Sequence, residues 1–429
     1  MTTDVQRDRM AMSQRERDVL KVMHGVIEGK RTQAEAARLL RRSVRQVRRL
    51  QRKLETDGDA TIVHGLRGQP SNNGYDEEYR RRVLQAYRRG YRDFGPTLAS
   101  EKLATEGLEV GAETLRRWLL TAGLWERRRH RDPHRSRRPR RECFGELVQM
   151  DASIHEWFEG RGEVAVLIAM IDDATNRIAA KFYAAGTVEA HLDLLEVWLR
   201  RYGRPRAVYT DRHSIFEPQD KGKALPGGVT QFGRALAELD VELIRAHSPQ
   251  AKGRVERLFG TLQDRWVKEM RLAKVTAIDQ ANDLLVRWVP EHNRRFARPA
   301  RRAADMHRRL DPGQRLEAIL SVQAERVVSN DYVVRFENRC YQLLPPVYPG
   351  ERGGRVVLER RLNGALAIRY AGHYLSYRDI TDGLTGEQAA SARDTNRSPG
   401  GDHPARYRHT TKTTYRPAAD HPWRRKFKE

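Results

Sequence analysis

Two short apolar runs, each followed by an aspartate, most constrain how this chain can fold. Residues 146–151 and 206–211 both have the composition of a strand, and they end at Asp151 and Asp211. In open α/β sheets the strand ends meet at one edge, where ligands bind. The two aspartates are therefore expected to lie close together at one edge of a sheet.

A third acid, Glu256, lies in a predicted helix within residues 247–262. Apolar side chains recur there at helical spacing: Val255, Leu258, Phe259 and Leu262. Glu256 follows Lys252 by four residues, and taken alone this pair is typical of an ordinary helix salt bridge. Three carboxylates in one place repel each other, however, and magnesium binds such oxygen ligands together with water and substrate phosphates. The pattern predicts a phosphoryl-transfer site.

The order Asp, Asp, Glu, with the run SPQAKGRVER at residues 248–257, resembles the integrase-type catalytic core of bacterial insertion-sequence transposases. This is the DDE family, whose core has a ribonuclease-H-like fold, and the resemblance extends over nearly the whole chain. It implies that Asp151, Asp211 and Glu256 are catalytic and hold two Mg²⁺ ions per active site, or Mn²⁺ in their place. Lys252 and Arg254 would then hold the scissile DNA strand.

The chain departs from this family pattern after the second acid. Many relatives have Asn-Gly there, whereas Arg212 and His213 follow Asp211, and a Gly- and Pro-rich loop at 216–228 lengthens the gap to Glu256. The loop is predicted to be a flap that orders on DNA, or else a solvent-exposed insertion without a role.

Two further acids, Asp172 and Asp173, are rival metal ligands. They lie between two predicted strands, at 163–171 and 178–184. Aspartate is favoured in turns because its side chain bonds to nearby backbone, so both are predicted to be turn residues.

The chain is strongly basic, with a formal net charge of +24 and a pI near 10.4. The clustering of that charge favours a nucleic-acid partner. Arginine greatly outnumbers lysine, however, so part of the charge can reflect a general bias in amino-acid composition and not a binding function. Two cysteines are too few for a disulfide framework or a zinc site. The longest apolar run has only strand length, so we expect no membrane partner and a cytoplasmic, nucleoid-associated protein.

A helix-turn-helix is predicted near the start of the chain. Thr32 and Glu35 form a capping box that opens a helix to residue 40, and Ser43 can cap a second helix from 44 to 55. The outer face of the second helix carries Arg45, Gln46, Arg48, Arg49 and Arg52. Such a helix is typical of entry into a DNA major groove; the alternative is a solvated basic helix in a small bundle.

The pattern of apolar residues in 76–125 predicts a second helical unit. Its third helix, at 112–122, places Arg116 and Arg117 on the face opposite its apolar side chains. The unit is either a second DNA-binding helix-turn-helix or a plain helical spacer.

The predicted fold class is multidomain α+β, with N-terminal helix-turn-helix domains, a ribonuclease-H-like mixed α/β catalytic core and a small C-terminal β-barrel. The predicted segments are a helix-turn-helix domain at 1–58, a linker at 59–75, the second helical domain at 76–125, an Arg-rich linker at 126–142, the catalytic core at 143–275, a helical connector at 276–320, the barrel at 321–380 and a basic, disordered tail at 381–429.

The expected function is that of a DNA transposase. It would bind double-stranded DNA, both transposon ends and target, and act as a homo-oligomer because two ends must be brought together. Two alternatives stay open: a non-catalytic DNA-binding regulator, which needs no intact triad, and a structure-specific nuclease, which needs no paired end-binding domains.

Overall fold

The computed structural model describes residues 12–63, 74–127, 139–217, 229–245 and 253–381. Within the chain, contacts cluster into two units, Met1–His130 and Arg131–Glu429. Lys252, most of the predicted flap, most of the Arg-rich linker and the tail beyond residue 381 lie outside the described residues. No helix in the described ranges is long and apolar enough to cross a membrane.

The first unit begins with three capped helices, α1 (Gln14–Ile27), α2 (Gln33–Leu40) and α3 (Val44–Asp57). Thr32 and Glu35 form the expected capping box, and Ser43 caps α3. The three helices share a core in which Met23, Ala36 and Val47 are fully buried. The structure therefore confirms the predicted helix-turn-helix.

A separate core holds the next three helices, α4 (Glu77–Gly90), α5 (Pro96–Thr105) and α6 (Ala112–Thr121). Val83, Leu103 and Leu115 are fully buried in it. The hydroxyl of Tyr87 donates to the carbonyl of Phe94 at 3.0 Å, which fixes the turn between α4 and α5. These three helices thus pack around a core of their own, distinct from that of the first three.

The second unit is built on a five-stranded sheet of β1 (Val148–Ile154), β2 (Val166–Asp172), β3 (Ile178–Tyr183), β4 (Ala207–Thr210) and β5 (Glu242–Arg245). The strand order is β3-β2-β1-β4-β5. The first three strands are antiparallel, whereas β4 is parallel to β1 and β5 is parallel to β4. This order and these directions are the ribonuclease-H-like topology that the family resemblance implies.

Helices cover both faces of the sheet. On one face α7 (Val188–Tyr202) and α8 (Gln231–Glu238) share a core with Met150 and Ile168. On the other, α9 (Gly253–Leu272) and α10 (Ile278–Phe296) share a core with Leu167 and Ala169. Side chains alternate between the faces of a strand, and Ala169 is the partner of Asp151 on β1. Asp151 therefore lies on the α9 face of the sheet.

The predicted connector at 276–320 is not a separate segment in the structure. α10 packs on the edge strand β3, where the side-chain amides of Asn282 and Asn293 bond to the backbone of Phe182 and Ile178 at 2.7–3.0 Å. A short helix, α11 (Leu316–Ile319), joins the core on the opposite face. The boundary expected after residue 275 is absent because these contacts complete both faces of the sheet.

The structure does not confirm the predicted small β-barrel, because no closed barrel is found among the described C-terminal strands. They are β6 (Val322–Val327), β7 (Val333–Phe336), β8 (Arg339–Leu343), β9 (Arg355–Arg360), β10 (Leu366–Tyr370), β11 (His373–Leu375) and β12 (Tyr377–Asp379). In the described range they pair as two sheets, β11-β10-β9-β6 and β12-β8-β7. Pro345, Pro346 and Pro349 separate β8 from β9, and proline has no N–H to continue a ladder. The predicted turn at Asn363 and Gly364 is confirmed, with Gly364 at φ 82°.

The buried histidine His292 of α10 gives the fold a predicted acid sensitivity. Burial, reinforced by the charge of Arg265, lowers the pKa of His292 from 6.5 to about 4. The folded chain keeps the ring neutral while the unfolded chain protonates it, so stability is lost as pH falls from about 6.5 towards about 4. The expected loss is about 2 kcal/mol by pH 5. His292→Gln should remove it, as measured by urea unfolding followed through tryptophan fluorescence.

The matched control is His373→Gln, which replaces an exposed histidine in the same unit. The control should retain the pH dependence of the wild type. An equal loss of stability between pH 7 and pH 5 in wild type and His292→Gln would contradict the prediction.

Candidate active site

The parallel pairing of β1 with β4 means that the two adjacent strands run in the same direction towards Asp151 and Asp211. Val148 pairs with Val208 and Gln149 with Tyr209, and each aspartate follows the last paired residue of its segment by two positions. Asp211 directly follows β4, as expected. Asp151 does not end its strand, because β1 continues to Ile154 through its pairing with β2.

Each of these aspartates is partly buried and is oriented by a local backbone bond. Oδ1 of Asp151 accepts a hydrogen bond from the N–H of Ala152 at 3.0 Å. Oδ1 of Asp211 accepts from the N–H of His213 at 3.0 Å. Each carboxylate is thus oriented by the backbone of its own segment.

Glu256 lies in the first turn of α9 and its side chain is exposed. Gln263 follows it by seven residues, which is two helical turns, so the two share a face of α9. Nε2 of Gln263 donates to Oγ of Ser153 at 3.0 Å, and Ser153 lies on the same face of β1 as Asp151. Glu256 therefore belongs to the face of α9 that is turned towards the strand carrying Asp151.

Within the described ranges, no three carboxylate, imidazole or thiol side chains are close enough together to hold a metal ion. Asp151 lies on β1 and Asp211 directly follows the adjacent strand β4, whereas Glu256 is an exposed acid on the helix that packs on β1. Carboxylate oxygens are the ligands that Mg²⁺ prefers. The chemistry of these three carboxylates, though not a closed cluster, suits a hard divalent cation.

Asp172 and Asp173 have structural roles: Asp173 lies in the predicted turn, whereas Asp172 ends β2 and bonds to that turn. Oδ1 of Asp172 accepts from the N–H and hydroxyl of Thr175, both at 2.7 Å, and Oδ2 accepts from the N–H of Gly145 at 3.0 Å. Burial raises the pKa of the Asp172 carboxyl, and these hydrogen bonds partly offset the rise. Neither side chain is exposed to solvent.

Arg254 does not have the position expected of a DNA-contacting residue. Its side chain is only 10% exposed, and Nη1 lies 2.8 Å from Oδ1 of Asp173. No local sequence pattern indicates this pairing, because the two residues are far apart in the chain. Lys252, expected to act with Arg254, lies outside the described residues.

The predicted DNA-contacting face of α3 is exposed. Arg45, Gln46, Arg48, Arg49 and Arg52 are all solvent-exposed. Two of them also make contacts within the domain. Gln46 accepts from the N–H of Ser43 at 3.0 Å, and Arg48 donates to the side chain of Gln33 at 3.4 Å.

On α6 the two predicted DNA-contacting arginines differ. Arg117 is exposed. Arg116 forms an ion pair with Glu113 at 2.7 Å, and its side chain is less exposed.

Two curated proteins match most of the chain. "Putative transposase y4bF" of Sinorhizobium fredii is 41% identical over 373 residues, which cover 86% of this chain and 82% of that protein. "Transposase for insertion sequence IS1202" of Streptococcus pneumoniae is 30% identical over 398 residues, covering 83% of each. The chain belongs to the insertion-sequence transposases.

A helix-turn-helix domain family matches residues 20–71 of this transposase, a range that contains α2 and α3. Among solved structures, a simian T-cell lymphotropic virus intasome is 15% identical, with a TM-score of 0.32, and covers 65% of this chain and 92% of that chain. The catalytic core of HTLV-2 integrase with magnesium, in its trimeric form, is 14% identical with a TM-score of 0.27, covering 33% of this chain and 82% of that chain. The fold assignment stands on strand order and direction.

The exposed face of α3 allows a direct test of DNA recognition by mutation. If Arg49 contacts a base, Arg49→Ala should weaken binding to the cognate transposon end by about 1–3 kcal/mol and leave scrambled DNA almost unaffected. If it contacts a phosphate, both DNAs should bind more weakly and the salt slope should fall by about one. Arg45→Ala is expected to behave in the same way. Gel-shift titrations at several salt concentrations distinguish the cases.

Arg15→Ala is the matched control, since it removes an equal charge from the exposed surface of α1 in the same domain. If Arg45→Ala and Arg49→Ala both bind the two DNAs with wild-type affinity, α3 is not part of the DNA interface.

Proposed function

We propose that this transposase cleaves DNA at transposon ends and joins the ends to target DNA, using Asp151, Asp211 and Glu256 as the acids of a DDE active site. The pairing of β1 with β4 carries the proposal, because Asp151 and Asp211 follow the paired residues Gln149 and Tyr209 by two positions each. The α9 contact with Ser153 adds Glu256 on the same face of the sheet.

The three acids would hold two Mg²⁺ ions, or Mn²⁺ in their place. When bound, such a pair supplies an activated oxygen nucleophile and stabilises the attacking and leaving oxygens of an in-line displacement. The chain's own part is to carry two of its carboxylates on or directly after two adjacent strands. The backbone bonds from Ala152 and His213 hold the two aspartates in orientation before DNA arrives.

The reaction would run as two displacements at phosphorus. In the first, water attacks the phosphodiester at the transposon end and a 3′-hydroxyl leaves. In the second, that 3′-hydroxyl attacks a phosphodiester of the target, and the target strand's own 3′-oxygen leaves. Neither step needs a covalent bond to the protein.

The N-terminal helical domains would bind the transposon ends. The exposed arginines of α3 support this role, because phosphate and base contacts both favour arginine. Two ends must meet before joining, so the protein would act on double-stranded DNA as a homo-oligomer in the bacterial cytoplasm.

Removing one acid should separate DNA binding from chemistry. Asp211→Asn and Glu256→Gln keep the side-chain size and remove a metal-binding charge. Each is expected to bind the end as wild type does but to lose Mg²⁺-dependent cleavage and joining by about a hundredfold or more, as when one electrostatic group is removed from a transition state. Gel shifts and cleavage assays on labelled end DNA measure both properties.

Asp264→Asn is the matched control, since Asp264 is an exposed acid on α9. Near wild-type cleavage in Asp211→Asn or Glu256→Gln would refute the triad. A wild-type protein that binds ends without cutting them would indicate a regulator, and one that cuts without joining would indicate a nuclease.

A further inference from the structure

A fully buried carboxylate joins the two elements that carry proposed active-site acids. Oδ1 of Asp173 accepts from Nε2 of Gln149 at 3.0 Å and lies 2.8 Å from Nη1 of Arg254. Gln149 precedes Asp151 by two residues on the same face of β1, and Arg254 precedes Glu256 by two residues on α9. The turn after β2 thus connects the catalytic strand to the start of the helix that bears Glu256.

A second polar contact joins the same two elements further along. Gln263 of α9 donates to Ser153, which follows Asp151 by two residues on the same face of β1. The contacts at Gln149 and Ser153 therefore lie on either side of Asp151. We call these two contacts, Gln149–Asp173–Arg254 and Ser153–Gln263, the strand-helix clamps.

Apolar packing alone does not fix the position of α9 along its axis. The hydrophobic contacts of Val255, Leu258 and Leu262 are non-directional, whereas hydrogen bonds and ion pairs need defined distances. A buried ion pair is also a weak source of stability compared with well-packed apolar side chains of the same volume. The placement of Asp173 and Arg254 is better explained by positioning than by stability.

We propose that the strand-helix clamps are positioning devices that set Glu256 at the level of Asp151, and that Asp173 and Arg254 are their main positioning residues. This inference rests on the proposed function of the triad. It gives Arg254 a role within the protein in place of the expected contact with the scissile strand.

Metal binding by the full-length protein tests the clamps without relying on catalysis. Mn²⁺ alone is titrated into each variant and followed by calorimetry and by the electron paramagnetic resonance of free Mn²⁺. Asp173→Asn should weaken Mn²⁺ binding by about tenfold or more, the effect usual for groups that orient metal ligands. The double variant Asp173→Leu with Arg254→Met should keep the fold and show the same loss, because apolar side chains replace the pair.

Glu269→Gln is the matched control. Glu269 is a similarly covered carboxylate, 11% exposed, that pairs with Arg265 at 3.9 Å on the same helix but away from Glu256. It should bind Mn²⁺ as wild type does. Ser153→Ala deletes one hydrogen bond of the second clamp and should weaken Mn²⁺ binding in the same direction even if the Asp173 variants fail to fold.

The outcomes separate this inference from the proposed function. If Asp211→Asn binds Mn²⁺ as tightly as wild type, the triad itself is wrong. A second outcome is that Asp211→Asn loses Mn²⁺ binding but a folded clamp variant keeps wild-type affinity, whether Asp173→Asn, the double variant or Ser153→Ala. In that case the triad stands and the proposal for the clamps is wrong.

Discussion

The pairing of β1 with β4 is the constraint on which the rest of the catalytic unit depends. β1 lies at the centre of the sheet, with Met150 in one core and Asp151 on the opposite, α9 face. Because strand side chains alternate, a slip of one residue would turn Asp151 into the core beneath α7 and Met150 towards α9. Burial of Met150 therefore fixes the register, and the register fixes the face of the sheet on which Asp151 lies.

The buried aspartates after β2 have a structural role, unlike the acids of the proposed site. Asp172 closes its own turn through Thr175, whereas Asp173 reaches out to β1 and α9. Both carboxylates are fully buried, so their charge must be satisfied inside the protein. The turn whose aspartates the sequence offered as rival metal ligands instead connects β1 to the start of α9 through Asp173.

The catalytic unit also extends beyond the part that carries the acids. One side of the edge strand β3 has no neighbouring strand in the described sheet. The side chains of Asn282 and Asn293 of α10 bond to backbone groups of β3, as a neighbouring strand would. Trp266 and Trp288 stack between α9 and α10 with ring centres 5.9 Å apart. The helix that bears Glu256 is thus supported on its outer side by a segment that the sequence pattern assigned to a connector.

Local sequence determined much of this protein. The capping residues Thr32 and Ser43, the apolar runs of β1 and β4 and the turn at Asn363 act within a few residues, so helix starts, strands and hairpins were predictable, as were the three candidate acids. Only the tertiary structure decided the pairing of Arg254 with Asp173, the packing of α10 on β3 and the division of the C-terminal strands into two sheets. Each of these depends on contacts between residues distant in the chain, whose burial and partners no local pattern encodes.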